Sequence, residues 1–128
     1  MRSYVYRALF EPGERRGSVV VSFPDVPEAI TQGRGQADAR AMAEEALGLV
    51  LLDYLERGKP LPKSRAKSRG LVEVAIPPDV AAKLAALEAF AAAGISKSEL
   101  ARRIGKDEKE VRRILDPRKN IPAVGHHR

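Results

Sequence analysis

Ser96-Lys97-Ser98-Glu99-Leu100-Ala101-Arg102-Arg103-Ile104-Gly105-Lys106-Asp107-Glu108-Lys109-Glu110-Val111-Arg112-Arg113-Ile114-Leu115 reads as two short helices joined at a glycine. Ser96 and Glu99 have the spacing of a capping box, in which the cap oxygen takes the backbone N–H three residues on. Asp107 and Glu110 repeat that spacing with a carboxylate cap. Gly105 between them can take the left-handed conformation that ends a helix and redirects the chain. Leu100, Ala101 and Ile104 form an apolar edge on the first helix, and Val111, Ile114 and Leu115 form one on the second. A small residue at 101, a glycine at 105 and a β-branched residue at 111 match the spacing of a helix-turn-helix. In that motif the second helix lies in a DNA major groove.

The outer side of the second helix carries Lys109, Arg112 and Arg113, with Arg118 and Lys119 just past its end. Ser96, Lys97 and Lys106 complete the candidate DNA-facing set. Arginine can pair bidentately with guanine, whereas lysine more often holds phosphates. Asp107, Glu108 and Glu110 dilute this charge, and Lys106 stands where such motifs usually place an apolar residue. The plainer alternative is an αα-hairpin with a solvated basic surface.

Upstream, Pro78 and Asp79 open a helix running to Ala93, with Val80, Leu84, Leu87 and Ala91 on its expected buried face. Leu71 to Ile76 reads as a strand that either completes an N-terminal sheet or begins the C-terminal module. Lys59 to Arg69, KPLPKSRAKSR, holds five basic residues, two prolines and no acid. Such a stretch reads as a mobile connector, with a phosphate-binding arm as the sharper alternative. Ser3–Phe10 and Ser18–Phe23 read as strands, and Ala29–Gln32 as a short third one. Gln36 to about Arg57, rich in alanine and leucine, reads as a long helix lying on the sheet through Met42, Ala46, Leu49, Val50 and Leu52. The expected division is residues 1–58, completed by a strand at 71–76, then a basic linker at 59–70. A helical domain at 78–120 and a disordered tail at 121–128 follow. The fold class is α+β.

The net charge of +6 divides evenly, each side of Gly70 carrying +3. A polyanionic partner suits that charge without being required by it. The absence of cysteine removes disulfides and thiolate chemistry and fits a reducing cytoplasm. The first sixteen residues lack the apolar stretch of a signal peptide, and the run around Leu47 to Leu52 is too short for a membrane span.

Enzyme chemistry finds little foothold. Two-metal phosphodiester cleavage needs convergent carboxylates. Asp25, Glu28, Asp38, Glu44, Glu45, Asp53 and Glu56 are available, but the first two strands supply none within them. Glu45 and Asp53 read as surface acids. His126 and His127 lie together near the end without a nearby cysteine or carboxylate, so no metal site or cofactor is expected. Gly33-Arg34-Gly35 reads as a turn, and Ser22 and Thr31 lack a histidine base.

Together these segments resemble the HicB family of bacterial antitoxins. In the first half the resemblance rests on Phe23-Pro24-Asp25-Val26-Pro27 with Thr31 and Gly33, on Glu44-Glu45-Ala46, and on Gly58 with Leu61-Pro62. In the second it rests on Val74-Ala75-Ile76-Pro77, Gly94 to Arg103 and Glu110 to Asp116, as in members with a helix-turn-helix tail. The resemblance implies a reduced ribonuclease-H-like β-β-β-α-β domain without nuclease activity, which masks a HicA-type mRNA-cleaving toxin. It also implies a C-terminal domain that represses the toxin–antitoxin operon at its operator DNA, in a homodimer or higher oligomer. Phe23, Pro24, Asp25, Val26, Pro27 and Glu28 are then the candidate toxin-facing residues, with Asp25 and Glu28 complementing a basic toxin surface.

Two departures accompany the resemblance. Gly35 stands before the long helix, where the family usually has a better cap. The sequence also stops about a dozen residues after Asp116, where members continue with one or two more helices. The apolar face of Val111, Ile114 and Leu115 is therefore expected to need cover from another chain, and DNA binding or dimerisation to be weakened. A stand-alone transcriptional regulator with a ligand-sensing first domain is the alternative function. A ribbon-helix-helix built from Leu71–Ile76, Asp79–Ala93 and the segment from Ser96 is the alternative DNA-binding form.

Overall fold

The structure, a computed structural model, describes residues 4–116. Four strands and four helices follow in the order β1 (Val5–Pro12), β2 (Ser18–Ser22), β3 (Thr31–Arg34), α1 (Gly35–Glu56), β4 (Val72–Ala75), α2 (Pro78–Ala93), α3 (Lys97–Ile104) and α4 (Glu108–Leu115). One sheet, ordered β3-β2-β1-β4, has every pairing antiparallel. Leu9 pairs with Ser22, Val5 with Ala75 and Val19 with Gly33, so β1 is shared between β2 along one half and β4 along the other. The strand at 72–75 thus completes the N-terminal sheet.

Period-two alternation decides which face is buried. Tyr4, Tyr6 and Ala8, Val19 and Val21, and Val74 all point to one side, where α1 packs. The third strand lies two residues later than expected because Phe23 to Ile30 is occupied by tight turns: Val26 N donates to the Phe23 carbonyl at 3.1 Å and Ala29 N to the Val26 carbonyl at 2.9 Å. α1 meets the sheet through Ala39, Ala43, Leu47, Gly48, Leu51 and Leu52. That face is rotated from the expected one: Met42 and Ala46 are only partly buried and Leu49 is 42% exposed. A helix apolar on nearly every side does not mark its own stripe, so contact with the strands chooses it. Small residues let α1 come close. A Cβ on Gly33 would stand 2.6 Å from the Ala39 backbone nitrogen, so glycine is required where β3 and α1 cross. The expected weakness at the start of α1 is offset by Asp38, whose carboxylate accepts from the Arg34 backbone N–H at 2.8 Å.

Residues 59–70 are held in place at several points. The Asp25 carboxylate accepts from the backbone nitrogens of Arg65 and Ala66, both at 2.8 Å. Tyr6 donates to the Pro62 carbonyl at 2.5 Å, and Arg7 to the Ala66 carbonyl at 2.8 Å. The segment expected to be a mobile connector is a strap fastened to β1 and to the turn after β2.

α2 belongs to two cores. Val80, Ala81 and Leu84 complete the main core, while Leu87 packs against both it and the second cluster. The second cluster is Ala101, Val111 and Leu115, covered by Leu87, Phe90 and Leu100. The apolar face of α4, expected to await another chain, is therefore closed by α2 and α3: Val111 is fully buried and Leu115 is 7% exposed. Among the described residues no helix is long and apolar enough to cross a membrane.

Candidate functional site

Two surfaces carry the candidate residues, and each begins from its local structure. In the C-terminal pair, Ser96 caps α3 by accepting from Glu99 N at 3.1 Å, and Asp107 caps α4 by accepting from Glu110 N at 2.7 Å. Gly105 has φ 70° and ends α3 in the left-handed region. The Lys106 backbone nitrogen donates to the Ala101 carbonyl at 3.0 Å, which fixes the turn. Ser98 donates to Glu108 at 2.8 Å and joins the first turns of the two helices. From α2, the Lys83 ammonium donates to the Ile114 carbonyl and so satisfies an orphan group at the end of α4. Burial lowers the pKa of Lys83 from its ordinary value; Asp116 opposes that shift and Arg113 adds to it.

The outward face of this pair presents Lys97, Lys106, Lys109, Arg112 and Arg113, all exposed. Arg112 is bonded to Glu108 at 2.5 Å and Arg113 to Glu110 at 2.5 Å. On α3, Arg102 and Arg103 both bond Glu99, Arg103 at 2.9 Å. These two arginines hold the Glu99 carboxyl below its ordinary pKa, the Arg103 hydrogen bond contributing most. Exposed pairs of this spacing are worth about 0.3–0.5 kcal/mol, little enough to be exchanged for a phosphate or a base edge. The three lysines form no ion pair among the described residues. Arg118 and Lys119 lie outside those residues.

The second surface is the turn between β2 and β3. Phe23 and Val26, two of the six candidate contact residues, turn inward and are 1% and 0% exposed. Their correction has a simple cause: large apolar side chains in a tight turn anchor it to the core. Pro24, Pro27 and Glu28 are exposed, and Asp25 is half-buried beneath the strap. Both acids have partners within the chain. Asp25 takes the strap, and Glu28 accepts from the Tyr54 hydroxyl at 2.9 and 2.8 Å. That hydrogen bond, with burial and the negative charge of Glu28 adding to it, raises the Tyr54 pKa. Ile30, not singled out by the sequence, is 65% exposed on the same turn, just before the edge strand β3. Its placement inside an expected strand concealed it.

Asp53 is bonded to Arg57 at 3.0 Å. Among the described residues no three His, Cys, Asp or Glu side chains gather as a metal would need. His126 and His127 are outside the described residues.

A sheet with β1 shared between two partners, a turn pinned from inside, and a capped helix pair held by α2 define an α+β protein with two outward-facing surfaces. Residues 5–85 match the family model described as HicB_like antitoxin of bacterial toxin-antitoxin system, and the chain belongs to that family. It is 37% identical over 130 residues to Antitoxin HicB 1 of Photorhabdus laumondii, covering 94% of this chain and 82% of that one. It is 40% identical over 102 residues to Antitoxin HicB of Escherichia coli K12, covering 78% and 72%. A solved toxin–antitoxin complex from Streptococcus pneumoniae contains a chain of similar fold, with TM-score 0.51, 18% identity, and coverage of 85% of this chain and 93% of that one.

Proposed function

We propose that this antitoxin neutralises a HicA-type mRNA-cleaving toxin with its N-terminal part and represses its own operon by binding operator DNA through α3 and α4. The match over residues 5–85 carries the first half of this reading. Pro24, Pro27, Glu28 and Ile30, exposed beside the edge strand β3, offer an apolar contact surface with one acid toward a basic RNA-binding protein. The reduced ribonuclease-H-like domain then serves as a scaffold for binding, not as a nuclease.

For the second half, capping by Ser96 and Asp107 and the turn at Gly105 support a helix-turn-helix. α4 is then the recognition helix, with Arg112 and Arg113 toward bases and Lys97, Lys106 and Lys109 toward phosphates. Two observations favour it over a ribbon-helix-helix: β4 is engaged by β1 along its length, and Gly105 divides what would have to be one continuous helix. A two-fold operator would be met by a dimer.

The test is coexpression with the product of the small reading frame beside the gene. Copurification and restored growth are expected, as is retardation of the upstream DNA in a gel. R112E with R113E should abolish retardation and leave copurification intact. Failure to restore growth would overturn the toxin-neutralising role and leave a stand-alone regulator.

A further inference from the structure

The strap is the one strongly charged segment whose backbone is fixed without using its charges. Lys63, Arg65, Lys67 and Arg69 recur at every second residue and are all exposed, whereas the intervening Ala66 is half-buried. From 59 to 68 the chain contains neither helix nor turn. The anchoring bonds use the backbone of Pro62, Arg65 and Ala66 and the side chains of Tyr6, Arg7 and Asp25. None uses a cationic side chain of the strap. No acid occurs within the stretch, and Asp25 is turned onto its backbone. Lys59 shares a cleft with Glu88, Leu87 and Phe90 of α2, so it is not counted with the four.

An extended chain rises about 3.3 Å per residue, so alternate side chains recur about every 6.6 Å along one side. A row of cations at that interval, on a backbone already ordered, fits the regularly charged phosphodiester backbone of a nucleic acid. A mobile linker would have to lose chain entropy on binding, and that cost is reduced here by the Asp25 and Tyr6 anchors. We propose that Lys63, Arg65, Lys67 and Arg69 form a second, sequence-independent nucleic-acid surface, separate from α4. The surface does not depend on α4 reading an operator. Because the strap starts beside Leu87 and Phe90, which also cover the helix pair, both surfaces are anchored to α2.

The full-length chain is compared with three variants: K63Q/R65Q/K67Q/R69Q, R112E/R113E, and both sets together. Fluorescence anisotropy is followed against salt with a random-sequence DNA duplex, a single-stranded RNA and polyglutamate, after circular dichroism confirms folding. Each phosphate contact contributes about 0.9 to the slope of log K against log salt on duplex and about 0.7 on single strands. The strap variant should therefore lose about 3 from the duplex slope in both the wild-type and the R112E/R113E background. A larger loss on RNA than on duplex would assign the surface to RNA, and the reverse would assign it to DNA. An unchanged slope on both nucleic acids overturns the proposal, as does an equal strap-dependent loss with polyglutamate. Strap-dependent binding that is indifferent to R112E/R113E would leave the strap standing while removing α4 as the reading helix.

Discussion

Around Leu47 and Leu51, four strands and two helices close over side chains with no exposure. Around Val111, only three buried residues sit under the partly buried Leu87, Phe90 and Leu100. The first region is held by apolar burial, at about 1.5–3 kcal/mol for each fully buried large side chain. The second has little of that. Its definition comes from caps, a left-handed glycine and the Lys83 bond to the end of α4. Local devices and ion pairs can shape a helix pair, but they cannot make it independent of the helix it rests on. α2 supplies Val80 and Leu84 to one core and Leu87 to both, so the helix pair depends on the sheet more than the sheet depends on it.

That asymmetry can be broken from either side. Leu51→Ala, in the centre of the main core, should cost about 3–5 kcal/mol. It should melt sheet and helix pair in one transition, seen as coincident far-ultraviolet and tyrosine signals in urea. Separate transitions would show that the helix pair stands alone. Leu115→Ala should cost about 2–3 kcal/mol, confined to the smaller cluster. Amide exchange should accelerate in α3 and α4 and stay slow in β1 and β2; acceleration throughout would contradict the asymmetry.

Gly105→Ala places a Cβ in the left-handed region and should cost about 1–2 kcal/mol. The expected readout is a lower thermal midpoint and weaker DNA retardation, with toxin copurification unchanged. The smallest effect belongs to Glu99. Its carboxyl pKa is depressed in the folded chain, so its contribution is present above the ordinary value of 4.5 and is lost as pH falls through the lower folded value. Thermal scans between pH 3 and 6 should show Glu99→Gln lacking a slight acid-side loss that wild type retains. An identical profile for both would remove Glu99 from the account.

Proximity in sequence made the helix pair legible. Ser96 with Glu99, Asp107 with Glu110, and Gly105 act within three or four residues, so their spacing carries the geometry directly. The candidate contact turn was legible only in part. Pro24 and Pro27 announce a turn, but Phe23 and Val26 go inside and Ile30 stays outside, because the core opposite them decides the orientation. The face of α1 was misplaced for the same reason: alanine and leucine surround that helix, and only the sheet selects Ala43, Leu47 and Leu51.

What the amino-acid order determined by itself is local: the capped helices, the left-handed turn, the strand periodicity of Tyr4 to Ala8, and the row of cations from Lys63 to Arg69. These depend on backbone preferences and hydrogen bonds over a few residues, which hold wherever the segment is placed. The tertiary structure alone decided that β4 pairs with β1, that Asp25 fastens the strap, and that α2 covers Val111 and Leu115. Asp25 and Ala66 are forty-one residues apart. A contact of that range depends on which surfaces the whole core brings together, and no short spacing encodes it.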